Sequence, residues 1–279
     1  MEGYEICGSQ RLSQFSEENP LRTFRQERQL RLLVDGDIVA YRTAAAFEEP
    51  IEWYEDFWTL HSDAKEVNAE IDNYLGWLME ETEADGMIVA LTDRENFRKN
   101  ISSDYKANRK SQRKPLCLNA ARDHLRETYD TRVIPALEAD DVISMLADED
   151  TIVVSPDKDL LQVPGYHFVD GDLVKREPDE CTRWFYMQIL MGDSSDNYKG
   201  CPGIGPVKAE RLLTPFGGYR PDGSTSNDYW MWEKTVGAYE KAGLNEDDAL
   251  ENARLAYLLK ANDYNMKTNT VNLWQPPTQ

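Results

Sequence analysis

Nine acidic residues have the types and spacing of a metal centre: Asp35, Asp93, Glu138, Asp140, Asp141, Asp157, Asp159, Asp193 and Asp196. Carboxylates gathered in one place cannot all stay ionised without cations. Oxygen-only ligand sets select hard divalent ions, Mg2+ or Mn2+, over zinc. Two such ions about 3.5–4 Å apart can clamp a phosphodiester, one activating a water and the other stabilising the leaving oxygen.

The elements around these acids explain how they could converge. Leu32–Val34, Met87–Leu91 and Thr151–Val154 are short apolar runs that read as buried strands. Each is followed closely by an acid, Asp35, Asp93 and Asp157 in turn, so three strands aim an Asp at one sheet edge. Val133-Ile134 and Tyr166–Val169 are two more candidate strands. Helices are predicted over Ile38–Phe47, Ser62–Glu81 with Ser62 as N-cap, Lys114–Tyr129 and Glu138–Ala147. Strands alternating with helices give an α/β core with a mostly parallel sheet, and ligands bind such sheets outside the carboxyl ends of the strands. From Cys181 onward the pattern turns helical: Thr182–Met191, Val207–Leu213, Asp228–Ala242 and Glu246–Ala261, with a Gly/Pro/Ser-rich loop at Pro215–Ser226. Residues 1–30 read as a polar extension, residues 31–190 as the core, and residues 191–279 as a helical region.

After the last two acids comes Lys-Gly200-Cys-Pro-Gly203-Ile-Gly205-Pro-Val-Lys208, running on to Arg211. Gly200, Gly203 and Gly205 permit close backbone approach to a ligand, and Pro206 suits the first turn of a helix. Free N–H groups at that helix start make a phosphate site, with Lys208 and Arg211 as added charge. Such a turn grips duplex backbone without reading sequence.

The chain has 279 residues and a net charge of −20, which taken alone argues against a polyanionic partner. The charge is segregated, however. Arg94–Lys114 carries eight basic and two acidic residues, net +6. Glu48–Asp85 is net −12 and reads as a solvated, largely helical face, and Ala136–Leu160 is net −7. A basic strip beside acidic clusters is what a metal-dependent enzyme acting on a polyanion needs. No apolar run reaches the ~20 residues of a membrane helix, and residues 1–30 hold no secretory core. Four cysteines and three histidines are dispersed, which argues against a zinc site or disulfide framework and fits a reducing cytoplasm.

Six ordered blocks resemble the structure-specific 5′ nucleases, the flap endonuclease family, and within it the 5′-to-3′ exonucleases of short-tailed bacteriophages. They are Val34-Asp-Gly-Asp37, Thr92-Asp-Arg-Glu-Asn-Phe-Arg98, Tyr105-Lys-Ala-Asn-Arg109, Glu138-Ala-Asp-Asp141, Ser155-Pro-Asp-Lys-Asp159, and Gly192-Asp-Ser-Ser-Asp-Asn197 with Gly203-Ile-Gly205. The resemblance covers roughly residues 31–214. It implies a Rossmann-like, PIN/resolvase-like nuclease core and a helix–three-turn–helix module. It implies one ion among Asp35, Asp93, Glu138 and Asp140, a second among Asp157, Asp159, Asp193 and Asp196, and Asp141 as a further or outer ligand. Lys106 and Arg109 fall in the gateway region, where they would stabilise charge on the scissile phosphate. Tyr41 matches a position that stacks on the terminal base, against ordinary packing as the alternative. Arg98, Lys110, Gly203, Gly205, Lys208 and Arg211 complete the expected DNA-binding set. Asn197, Tyr198 and Ile204 are candidates for a monovalent cation such as K+. The basic stretch Lys99–Lys114 is short for a full helical arch.

The implied activity is Mg2+-dependent hydrolysis of DNA at 5′ ends, nicks, gaps or flaps, leaving 5′-phosphate and 3′-hydroxyl, with removal of RNA primers from RNA–DNA hybrids during phage replication. The implied molecule is a monomer in the cytoplasm of an infected bacterium. Two alternatives stay open: an RNA-directed nuclease of the PIN type, which shares the acidic core but has no use for the turn module, and a scaffold that binds branched DNA without cutting it.

Overall fold

The computed structural model describes residues 29–214 and 227–278. All but the end of the extension read at 1–30, and the loop read at Pro215–Ser226, lie outside the described residues. The central sheet has six strands in the order β5-β4-β1-β6-β7-β8. Its middle is built from the three apolar runs: β1 (Arg31–Asp35), β4 (Gly86–Ala90) and β6 (Thr151–Val154). They pair in parallel, with Leu33 opposite Ile88 on one side and Val153 on the other. These strands read as apolar throughout because helices cover both faces. On one face pack α1 (Gly36–Ala46), α2 (Ala64–Thr82) and α3 (Leu118–Thr128); on the other packs α4 (Ala139–Leu146). β5 is Thr131–Arg132, just before the predicted Val133-Ile134. On the far side lie β7 (Gly165–Val169) and β8 (Asp172–Arg176), the one antiparallel pairing of this sheet.

Two predicted boundaries move for local reasons. Asp63, not Ser62, caps α2, its side chain accepting from Lys65 N at 2.8 Å. The acidic stretch Glu48–Asp85 is not one helical face: its first part is a hairpin of β2 (Glu49–Tyr54) and β3 (Phe57–His61) projecting from the end of α1, with Trp53, Tyr54, Phe57 and Trp58 exposed.

The helical region is α5 (Pro178–Met191), α6 (Pro206–Leu213), α7 (Asn227–Lys241) and α8 (Glu246–Ala256), around a core that includes Tyr186, Ile189, Trp232 and Tyr239. α8 ends before the predicted Ala261 because the chain turns extended at Tyr257, where Arg98 captures the carbonyls of Leu255 and Tyr257. Beyond it Leu258, Leu259 and Tyr264, the last in the small pair β9 (Tyr264–Asn265) and β10 (Thr270–Val271), pack with Leu33, Ile88 and Val153. The C-terminal residues therefore buttress the sheet domain as well as the helical region.

Candidate metal centre and nucleic-acid interface

Four carboxylates meet at the carboxyl ends of β1 and β6. Asp35 closes β1 and caps α1, its Oδ1 accepting from the N–H groups of Asp37 and Ile38 at 3.1 Å each. Ser155 Oγ donates to its other oxygen at 3.1 Å. Asp140 sits in the first turn of α4. Asp157 caps the 3-10 turn Lys158–Gln162, accepting from Asp159 N, and Gln188 Nε2 donates to Asp159 Oδ1 at 2.6 Å. Carboxylate oxygens of Asp140, Asp157 and Asp159 lie within 4.8 Å of one another. Burial pushes the Asp35 carboxyl up to about 7, with repulsion from Asp37 and Asp157 adding to it. Burial likewise takes Asp159 up to about 7, with Asp157, Asp196 and Asp193 adding repulsion. Asp140 is driven well above the carboxylate range by burial and then by the charges of Asp35, Asp157 and Asp159. Among the described residues no cation pairs with any of these four; the nearby ones pair with other acids. An oxygen-only set this short of positive charge fits hard divalent ions.

A second set of acids is already neutralised. Glu138 and Asp196 share the Lys106 ammonium, which is 3.4 Å from Asp196 and closer still to Glu138. Tyr105 Oη lies 2.7 Å from a carboxylate oxygen of each. Arg109 Nη2 donates to Asp196 Oδ1 at 2.6 Å. Burial opposes ionisation of Glu138, but Lys106 and Arg98 outweigh it and hold the carboxyl down at about 2. Lys158 Nζ lies 2.6 Å from Asp193 Oδ2, and Ser195 donates N–H and Oγ to Oδ1 at 2.7 Å each. These donors overcome burial and keep Asp193 below the usual carboxylate range. Asp140, expected with the first ion, sits among the residues expected at the second.

Three of the expected site residues sit outside the group of four carboxylates. Asp141 is not in the cluster: it is fully buried, and Arg98 grips it with Nη1 at 2.6 Å and Nη2 at 2.7 Å. Neighbouring helical residues point about 100° apart, so Asp141 turns away where Asp140 turns in. Arg98 is correspondingly not on the DNA surface; it is 1% exposed. Asp93, three residues beyond β4, accepts from Ala136 N at 2.8 Å and lines a separate groove with Arg94, Lys114 and Arg122. Its carboxyl is held down mainly by that N–H bond.

Beside the cluster opens a cavity of about 600 Å³ lined by Asp37, Tyr41, Arg42, Arg109, Asp157 and Lys158. Tyr41 is half exposed there, free to meet a ring. Lys110 is exposed on the 3-10 turn Ala107–Ser111 that carries Arg109. The Gly-rich turn divides its glycines between two tasks. Gly192 and Gly200, both at positive φ, face each other so closely that a Cβ on Gly192 would meet Gly200 N at 2.5 Å and one on Gly200 would meet Gly192 N at 2.2 Å. Gly200 thus serves chain packing, not ligand approach as expected. A Cβ on Gly203 or Gly205 would meet nothing, so their backbone faces open space. Lys208 Nζ donates to Gly203 O at 2.8 Å, and Lys208 and Arg211 are exposed on α6. Of the monovalent-cation candidates, Tyr198 O already accepts from Asp193 N, while Asn197 sits at φ 63° with its amide donating to Asp104 O.

The structure adds Tyr105, Lys158, Ser155 and Asp37 to the site. Lys158 was legible: a lysine between two aspartates has acids on both sides to meet. Tyr105 lies in a block quoted above, but no spacing rule predicts that its hydroxyl bridges two distant acids.

A resolvase-like α/β sheet with an acidic centre at its carboxyl edge and a basic helical turn alongside defines a phosphodiester hydrolase. Residues 30–178 match the model of the 5′-3′ exonuclease N-terminal resolvase-like domain. The chain belongs to this 5′-3′ exonuclease family. An exonuclease of Escherichia phage T7 is 26% identical over 281 residues, covering 88% of this chain and 93% of that one. The flap endonuclease Xni of Shewanella woodyi is 33% identical over 186 residues, 60% of this chain and 70% of that one. The bacteriophage T5 D15 flap endonuclease, crystallised in a pseudo-enzyme-product complex with DNA and metal ions, superposes with a TM-score of 0.60 at 17% identity, covering 83% of this chain and 89% of that one. That last likeness is one of fold. Among the described residues no helix is long and apolar enough to cross a membrane, and Cys117, Cys181 and Cys201 are buried free thiols.

Proposed function

We propose that this nuclease is a Mg2+- or Mn2+-dependent 5′-to-3′ exonuclease and flap endonuclease acting on DNA. Asp35, Asp140, Asp157 and Asp159 hold the ions, with Glu138, Asp193 and Asp196 completing a two-ion set. When bound, the ions supply Lewis acidity at the phosphoryl oxygens and acidify water. The chain's own groups do the rest. Lys106 and Arg109 meet the scissile phosphate and the charge that develops on it. Tyr41 stacks on the terminal base in the cavity beside Asp157. The open backbone at Gly203 and Gly205, with Lys208, Arg211 and Lys110, holds the duplex by its phosphates. Carbonyls of Asn197 and Ile204 are the remaining candidates for K+ at the turn. The substrates are DNA with 5′ ends, nicks, gaps or flaps and RNA–DNA hybrids, cut by a monomer in the infected host's cytoplasm. Residues 191–279, together with α5 on which they pack, are the duplex-holding unit, and the sheet and its covering helices within residues 31–190 the cutting unit.

The observation that carries this reading is the group of Asp140, Asp157 and Asp159, part-buried beside the buried Asp35 and without a basic partner, next to a cavity lined by Tyr41 and Arg109. End-labelled nicked, gapped and flapped DNA incubated with the protein tests it. Short 5′ products that appear with Mg2+ and vanish with EDTA are expected. A flap bound but left whole in Mg2+ means a branched-DNA scaffold instead.

A further inference from the structure

Two glutamines are buried where the Lys158–Gln162 turn meets the helical region. Gln162 ends the turn and is 5% exposed; Gln188 lies in α5 and is 3% exposed. A buried amide costs free energy unless its donors and acceptors are used. Gln162 uses its oxygen and both of its N–H groups. Its Oε1 accepts from Leu258 N at 3.2 Å, and its Nε2 donates to Ala256 O at 2.7 Å and to Gln188 Oε1 at 2.6 Å. The backbone decides which way this amide faces, because a main-chain carbonyl can only accept and a main-chain N–H can only donate. With Gln162 so fixed, its second N–H needs an oxygen, and Gln188 turns Oε1 toward it. Gln188 is left with its NH2 for Asp159, and donates to Oδ1 at 2.6 Å. The relay from the end of α8 through two amides to Asp159 therefore has one direction, and it ends on a donor.

A carboxylate held this way has its plane set and keeps lone pairs for an ion. The donor is also neutral. Glu138, Asp193 and Asp196 are held by Lys106, Lys158 and Arg109, whose charge competes with any incoming cation. Gln188 orients Asp159 without that competition. One helical turn earlier on the same face of α5, Trp184 Nε1 donates to Lys158 O at 2.8 Å, so the helix grips the turn at two points. The same helix contributes Tyr186 and Ile189 to the helical core. An acid of the cluster is thus set in place by a helix of the neighbouring region.

We infer that Gln188, fixed by Gln162, is a positioning residue that orients the Asp159 carboxylate for a divalent ion. This rests on the metal-dependent reading above. Mn2+ binding to the DNA-free protein, followed by electron paramagnetic resonance, is the test. Q188M keeps the length of the side chain and removes the donor. Its Mn2+ affinity is expected to fall about 10- to 100-fold, and the Mg2+ concentration for half-maximal single-turnover cleavage to rise by a similar factor. Duplex affinity in EDTA should not change. Q162M leaves Gln188 in place but removes its anchor, and should weaken Mn2+ at least about threefold; Q162M/Q188M should be no worse than Q188M alone. W184F breaks the other bond between α5 and the turn and should leave Mn2+ affinity unaltered. Wild-type Mn2+ affinity in Q188M and Q162M, or an equal loss in W184F, makes the amides packing elements only and overturns the inference. If Q188M fails to fold, Q162M against W184F decides. Mn2+ affinity unaltered in D159N would instead remove the metal assignment of Asp159 itself, a separate failure that no glutamine variant can produce.

Discussion

Two groups of acids near the carboxyl edge of the sheet are treated oppositely by the rest of the chain. Glu138, Asp141, Asp193 and Asp196 each have a basic partner, respectively Lys106, Arg98, Lys158 and Arg109. Asp35, Asp140, Asp157 and Asp159 have none, and three of the four are forced toward neutrality by burial and mutual repulsion. The difference separates acids that organise the site from acids that wait for a charge. A protein that surrounds one set with cations and withholds them from its neighbour leaves the second set electrostatically suited to an external cation.

The strongest test of that division removes one acid that lacks a basic partner. Asp157→Asn keeps the shape and the Asp159 N–H contact but deletes a charge. Cleavage is expected to fall about 10⁴-fold, roughly 5.5 kcal/mol in the barrier, with duplex affinity within a few-fold of wild type. Single-turnover rates and binding in EDTA measure the two separately. A variant that still cuts at a comparable rate erases the distinction between the groups.

Removing a partner from the balanced group should damage the fold. Arg98 donates Nε to Leu255 O at 2.9 Å, Nη2 to Tyr257 O at 2.6 Å, and grips Asp141 with two bonds, all out of water. It ties the strip after β4, the start of α4 and the end of α8 together. Leaving Asp141 buried and unpaired in Arg98→Gln is expected to cost about 3–5 kcal/mol in urea unfolding. Arg98→Gln/Asp141→Asn should recover a large part of that loss. If Arg98 bound DNA, the single variant would instead keep its stability and lose affinity.

The balanced and unbalanced sets also explain what the sequence could and could not disclose. Buried apolar runs identified β1, β4 and β6, and hence where Asp35 and Asp157 would emerge. The β2–β3 hairpin buries nearly nothing, so it carries no alternation to read, and β8 is a polar edge strand. Among Glu138, Asp140 and Asp141, residue type alone cannot separate a metal ligand from an ion-pair partner. Helix geometry can: residues 138 and 141 share a face and both meet Arg98, whereas Asp140 faces elsewhere. What no local rule supplies is that the Arg waiting for Asp141 comes from 43 residues away. Asp93 is ambiguous for a related reason, since an Asp after a strand is also a turn residue, and here it holds Ala136 N.

The acids without a basic partner should also be visible in stability. Asp35 and Asp159 are raised to about 7 in the folded protein, from an unfolded value of about 4. A raised carboxyl favours the fold where it is protonated, and that contribution is lost as pH climbs through 7. In EDTA the melting temperature is therefore expected to drop between pH 5 and pH 8. Mg2+ should reduce the drop, with a larger stabilisation at pH 8 than at pH 5. Scanning fluorimetry at both pH values reads this directly, and equal Mg2+ effects would mean that the ions bind away from these groups.

The smallest effect falls where the two groups touch. Lys158 stands between Asp157 and Asp159 in the chain, yet pairs with Asp193, and its side chain is about half exposed. An ion pair open to solvent on one side contributes little, so Lys158→Ala is expected to lower unfolding stability by no more than about 1 kcal/mol. Its consequence for the acids should be qualitative. Without Lys158, Asp193 loses its basic partner and joins the unbalanced set, so the pH-dependent part of the Mg2+ stabilisation should grow. If Lys158→Ala leaves that dependence unchanged, Asp193 is separated from the cluster by more than its lysine.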